Sequence, residues 1–221
     1  MGYSTDFLGC FKCTPKLTEP QRAYLDAFGE KRHFKRRTRK GQKAKWIHWY
    51  KLSINEPVNA QDLPDPLRIA VGLPIGKQGA YFTGGVGFCG QDDDAATIDT
   101  NQEPDGMPSL WCQWRPDATG EYIGWDGGEK FYRATDWLKY IIENFLVRFG
   151  VTLHGVVRYQ GEGINDFGSI VCAGNVVEQK PGVKLKPTHP KVMARESCLI
   201  WRENHVLDSV KALMEVRKRH G

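Results

Sequence analysis

At 221 residues, with 40% hydrophobic and 26% charged residues, the chain has the length and composition of a globular protein able to bury a full core. No window approaches the run of about 18 apolar residues that a membrane span needs. The N-terminal Met-Gly-Tyr-Ser-Thr-Asp lacks the basic start and apolar stretch of a signal peptide, so the cytoplasm is the expected location and no membrane partner is expected. The formal charge of +5 hides a segregated distribution: residues 31–51 hold ten Lys/Arg and no acid, and the rest of the chain carries 21 basic against 26 acidic residues.

In chain order, residues 3–13 have the pattern of a first strand, with Tyr3, Thr5, Phe7 and Phe11 as its β-favouring side chains, and Pro15 ends it. Thr18-Glu19-Pro20-Gln21 is a helix start, with Thr18 as N-cap, Pro20 in the first turn and Gln21 three residues after the cap. That helix uses Ala23, Tyr24, Ala27 and Phe28, and Gly29 weakens or closes it. The basic segment follows over 30–51, expected as a fraying helical extension or a loop ordered on binding, and 52–63 is a polar linker. Asp65-Pro66 caps a short helix over Leu67–Val71, stopped by Gly72 and Pro74. From 75 to 108 Gly, Asp and Pro dominate, with one short strand expected around Ala80-Tyr81-Phe82. So long a stretch without periodicity is uncommon unless it is functional or tied down.

The chain is organised around residues 109–150. Residues 110–115 alternate and set Trp111 and Trp114 on opposite faces; Pro116, Asp117 and Gly120 make a turn, and 121–125 returns to Trp125. Asp126-Gly127-Gly128 reverses the chain into an amphipathic helix expected over 131–149. Its stripe is Ala134, Leu138, Ile141, Ile142, Phe145 and Phe149, with Arg133, Asp136, Glu143 and Asn144 opposite and Gly150 just past its end. Then 151–160 alternates, Val151, Leu153, Val157 and Tyr159 on one face and Thr152, His154, Arg158 and Gln160 on the other. A loop over Gly161–Gly168, a strand over 168–172 and a hairpin turn at Ala173-Gly174-Asn175 lead into Val176-Val177. Residues 179–191 read as a proline-rich linker, and 194–219 as a helix striped by Leu199, Val206, Leu207, Val210, Leu213 and Met214. Strands joined in short-turn pairs predict an α+β fold. Its sheet is mainly antiparallel and covered by a long amphipathic helix, in a core domain of residues 1–180, with a linker and C-terminal helical extension over 181–221.

Chemistry can be placed at three points. The basic segment offers Lys31, Arg32, Lys35, Arg36, Arg37, Arg39, Lys40, Lys43 and Lys45, a composition that neutralises phosphates, with aromatics directly after it that could stack on bases; a solvated loop balancing acidic surface is the plainer alternative. The glycine–acid stretch 84–101 sets Asp92, Asp94 and Asp99, with Gln91, where carboxylates could gather a divalent cation, while capping of turns is the plainer reading. Its Gly85-Val86-Gly87-Phe88-Cys89-Gly90 fits the letters of a dinucleotide fingerprint without the strand-and-helix context, so that reading is rejected. Third, Trp111, Trp114 and Trp125, with Asp126 and Glu129, cluster near one hairpin as a candidate pocket wall, which Glu162 and Asp166 approach if the strands pair as a meander, against the commoner role of tryptophan in a core. Cys10-x-x-Cys13 has no partner motif, its side chains point to opposite faces of a strand, and no histidine pair has metal spacing, so no metal and no cofactor are expected. The six cysteines are expected reduced.

Gly-Tyr-Ser-Thr-Asp-Phe at 2–7, Gly-Gln-Asp at 90–92, Leu-Trp-Cys-Gln-Trp at 110–114, Trp-Asp-Gly-Gly-Glu-Lys-Phe-Tyr at 125–132 and Gln-Gly-Glu at 160–162 resemble an uncharacterised family of bacterial and phage proteins. The resemblance spans most of 2–177 and implies no activity and no catalytic residue; the basic segment and the C-terminal helix depart from it. By association it implies a phage or bacterial accessory role, including countering host defence. The resulting expectation is a non-enzymatic binding protein that engages nucleic acid, or a complex containing it, through the basic segment. Two alternatives stand beside it. One is a small metal-dependent enzyme acting on a nucleotide-like or phosphorylated substrate through Asp92, Asp94 and Asp99. The other is a protein-binding inhibitor using the C-terminal helix.

Overall fold

The computed structural model describes residues 2–37, 65–84 and 96–182. Expectations for 38–64, 85–95 and the chain from 183 onward lie outside the described residues, and these include most of the basic segment, the glycine–acid stretch and the C-terminal helix. The described chain forms two compact units, one from residues up to Arg22 together with those from Gln113 onward, the other from Ala23 to Cys112.

The first unit is an α+β structure built on one antiparallel sheet. Its strands are β1 (Thr5–Leu8), β2 (Cys10–Thr14), β5 (Trp114–Pro116), β6 (Tyr122–Trp125), β7 (Thr152–Gly161), β8 (Phe167–Ala173) and β9 (Val176–Pro181). They are ordered β5-β6-β2-β7-β8-β9, with β1 also paired to β7. β1 and β2 are one strand interrupted at Gly9, because both keep a single register on β7: Leu8 faces Arg158 and Phe11 faces Gly155. The interruption has a steric cause. A Cβ on Gly9 would stand 2.6 Å from Val156 O, and one on Gly155 would stand 2.5 Å from Cys10 O, so the two strands meet there through bare backbone.

Strand alternation sorts the side chains. Phe7, Phe11, Cys13, Ile123, Trp125, Leu153, Val157, Ile170 and Cys172 are buried on the inner face. Phe7 is the hub of an aromatic cluster, edge-on to Trp114 (5.6 Å), Trp125 (5.5 Å) and Phe131 (5.6 Å). Helix α3 (Ala134–Ile141) lies on this side: Trp114 Nε1 donates to Ala134 O (2.8 Å), and Thr135 Oγ1 donates to Gln179 Oε1 (3.1 Å). The helix is shorter than 131–149. The α-helical part has eight residues, and a π-helical turn of five, Ile142–Leu146, continues it. Arg133 sits before it in the left-handed region (φ 57), where a helix interior residue cannot be. The expected stripe is buried at Ala134, Leu138, Ile141, Ile142 and Phe145, and Trp137 and Leu146 join it, but Phe149 is only half-buried in the closing turn. Gly150 (φ 70) ends the segment, with Val151 N–H on Leu146 O and Gly150 N–H on Val147 O. The hairpin from β8 to β9 turns on Gly174 and Asn175, both at positive φ (61 and 69). β9 runs to Pro181, so the start of the expected linker is sheet.

The second unit begins inside helix α1 (Glu19–Glu30), whose buried residues are Tyr24, Leu25, Phe28 and Gly29; Ala23 and Ala27 stay half-exposed. Thr18 N–H donates to Gln21 Oε1 (2.9 Å), the return half of a capping box. The chain then extends rather than continuing the helix or looping out: Arg32 bridges Trp111, and β3 (Lys35–Arg36) pairs with β4 (Thr97–Asp99). Helix α2 (Pro66–Ala70) starts on Asp65, whose carboxylate is buried and satisfied by Arg68 N–H, Arg68 Nε (3.1 Å), Thr83 N–H (3.1 Å) and Thr83 Oγ1 (2.7 Å). Ala80-Tyr81-Phe82 is buried but makes no strand; it follows a single tight helical turn, Lys77–Gly79. Among the described residues no helix is long and apolar enough to cross a membrane.

Candidate functional site

The residues picked out by chemistry in the sequence fall into both units. Within the basic segment, Arg36 and Arg37 are buried, 3% and 0% exposed. The Arg36 guanidinium lies between two rings, 4.0 Å from the Phe34 centroid and 4.6 Å from that of Phe82. Lys35 pairs with Asp105 (3.3 Å), and Arg32 donates to Thr100 O (3.2 Å) and Asn101 Oδ1 (3.0 Å). Lys31 is half-exposed. Arg39, Lys40, Lys43 and Lys45 lie outside the described residues, as do Gln91, Asp92 and Asp94. Asp99 accepts from Asn101 N–H (2.8 Å), closing a turn, and no group of three potential metal ligands occurs among the described residues.

The pocket candidates fall in different units. Trp111 belongs to the second unit; Trp125, Asp126 and Glu162 belong to the first. Trp125 is core, its Nε1 donating to Gln113 Oε1 (2.9 Å). Asp126 accepts from Gly128 N–H (2.8 Å), and Glu162 accepts from Ser4 N–H (2.9 Å). The phrases 2–7, 125–132 and 160–162 do converge at one end of this unit. There Tyr3 bonds Asp166 and receives Gly163 N–H (3.0 Å), and Tyr132 OH meets Tyr3 N–H (3.4 Å). These exposed bonds tie the first strand to the loop between β7 and β8.

A second surface of the first unit emerges only from strand pairing. With the inner face packed, the outer face carries the other half of the alternation, and Lys12, His154, Val156, Arg158, Ala173, Val176, Glu178 and Lys180 are exposed on it. The register arranges them in rows. Tyr122, Lys12, His154, Ala173 and Val176 stand side by side across five strands. Val156, Val171 and Glu178 form the next row, with Arg115 opposite Gly124 further out, and Arg158, Ser169 and Lys180 the third. Lys12, Arg115, Arg158 and Lys180 thus share this face with Asp6 and Glu178, and the Lys180–Glu178 pair (3.4 Å) is solvent-exposed on both sides. His154 is held in place because its Nδ1 accepts Gly174 N–H (3.2 Å).

Sequence reasoning placed His154 and Arg158 on the polar face of 151–160 but did not join them to Lys12 or Lys180. Those partners are more than a hundred and about twenty residues away, and only the register brings them together. Among the described cysteines none forms a disulfide, and burial, then the Asp117 carboxylate, pushes the buried Cys13 thiol up to about 12, which makes it unreactive near neutral pH. Comparison with family models, with curated proteins and with solved structures gives no match to this chain.

Proposed function

We propose that this protein is a non-enzymatic nucleic-acid-binding protein of phage or bacterial accessory type, acting in the cytoplasm, and that the outer face of its sheet is a principal contact surface. The observation that carries the reading is the row structure of that face: the register brings the exposed Lys12, Arg158 and Lys180, and half-exposed Arg115, onto one surface of the sheet. A surface of this kind attracts a polyanion at long range and neutralises phosphates on contact. The cations of 39–45 add charge of the same sign to the chain, and the resemblance to bacterial and phage proteins supports an accessory role against host defence.

The test is a salt titration of oligonucleotide binding by fluorescence anisotropy. Each phosphate neutralised contributes about −0.7 (single strand) to −0.9 (duplex) to the slope of log K against log salt. Lys12→Glu with Arg158→Glu is expected to weaken binding and flatten that slope by roughly two such increments. Binding insensitive both to salt and to the double substitution overturns the reading.

A further inference from the structure

The open sheet face has a centre as well as a charge. We infer that its ligand is a single strand of nucleic acid, not a duplex, with bases stacked on Tyr122 and His154 at either side of Lys12. The inference rests on the proposed nucleic-acid reading and narrows it.

Three observations carry it. Tyr122 and His154 are both cross-strand neighbours of Lys12, in one unbroken row. Strands about 4.8 Å apart set the Tyr122 and His154 positions roughly 10 Å from one another with Lys12 between them. Aromatic, cationic and aromatic residues thus follow one another along one row, an order suited to stacking bases with a phosphate between them. Next to this row, Val156 and Val171 are paired directly across β7 and β8, and Val156 is 51% exposed. An apolar patch inside a cationic face gains nothing from a duplex, which turns phosphates and groove edges outward and keeps its base faces stacked. A single strand offers those faces. Charge argues against the chain's own C-terminal segment as the occupant: residues 183–221 hold nine Lys/Arg against four acids, the same sign as the face.

The experiment uses the full chain and fluorescein-labelled 12-mers of one mixed sequence, as single-stranded DNA, single-stranded RNA and duplex DNA, at one salt concentration. The single strands are expected to bind at least about tenfold more tightly than the duplex, and the DNA and RNA arms show which sugar is preferred. Tyr122→Leu and His154→Ala are each expected to lower single-strand affinity on the order of 5- to 100-fold, while Tyr122→Phe keeps it, because the ring and not the hydroxyl stacks. Thermal melting of each variant separates loss of stacking from loss of fold. Equal duplex and single-strand affinity, with the ring variants unchanged but Lys12→Glu/Arg158→Glu defective, overturns the inference and leaves the nucleic-acid reading standing. Displacement by polyglutamate at equal charge as readily as by oligonucleotide shows a face for acidic protein surfaces and overturns both. Absence of any oligonucleotide binding removes both as well.

Discussion

His33 lies in the basic segment and yet behaves as a core residue. It is stacked 4.1 Å from Phe28, and burial, then the neighbouring Arg36 charge, pushes its imidazole down to about 3, only partly offset by a bond to the Phe28 backbone. The native state therefore holds His33 neutral where the unfolded chain protonates it. Its contribution to stability is complete above the unfolded value of about 6.5 and is lost as pH falls from there toward 3, at up to about 1.4 kcal/mol per pH unit. Chemical denaturation at pH 7, 5.5 and 4 should show that decline, and His33→Phe should make it shallower; parallel pH profiles for the two proteins would contradict the assignment. Cys13 has the opposite sign. Its thiol is raised, so the native state keeps the proton, and stability falls only as pH rises from the ordinary thiol range toward 12. Alkylation of Cys13 at neutral pH should accordingly require unfolding, which peptide mapping after iodoacetamide treatment would show.

Among the elements, the junction of β1, β2 and β7 depends on two residues without side chains. Gly9 stands at φ 111, and either Cβ would collide with a carbonyl across the strand pair. Gly9→Ala and Gly155→Ala should each destabilise by about 1–3 kcal/mol, measured by urea denaturation, whereas Gly174→Ala, with open space around it, should cost less despite its positive φ. Helix α3 gives a matching contrast: Leu138→Ala should cost about 2–5 kcal/mol, and exposed Glu143 should tolerate change within about 0.5 kcal/mol. This helix also shows what periodicity can and cannot convey. The spacing of Leu138, Ile141, Ile142 and Phe145 marks the buried stripe correctly, because a stripe depends on residues a few positions apart. Its start does not follow from the pattern, because Phe131 looks like a helical residue and is instead drawn into the aromatic cluster around Phe7, from a distant strand. In the same way Asp65-Pro66 and Gly174-Asn175 announce a cap and a turn by local chemistry, while β3 and β4, two and three residues long, exist only through each other.

For the whole molecule, the same charge has two fates, and composition alone cannot separate them. A run of ten Lys/Arg looks like a phosphate-binding arm, but Arg36 is clamped between Phe34 and Phe82 and Arg37 is buried. Lys12 and Arg158, isolated in sequence and unremarkable there, are both exposed on one sheet face. Burial makes a cation structural because removing it leaves two ring faces without their partner; exposure makes it available because its loss leaves only solvent. Arg36→Gln should therefore destabilise by about 2 kcal/mol, lowering the melting temperature by several degrees. Lys12→Gln with Arg158→Gln should leave the melting temperature nearly unchanged, within about 0.5 kcal/mol per site, while weakening oligonucleotide binding. Measuring both quantities on both variants tests the division directly. A stable Arg36→Gln protein would show that the aromatic clamp contributes little. An Arg36→Gln protein that folds but loses binding, beside a Lys12/Arg158 variant that keeps it, would return the binding surface to the basic segment.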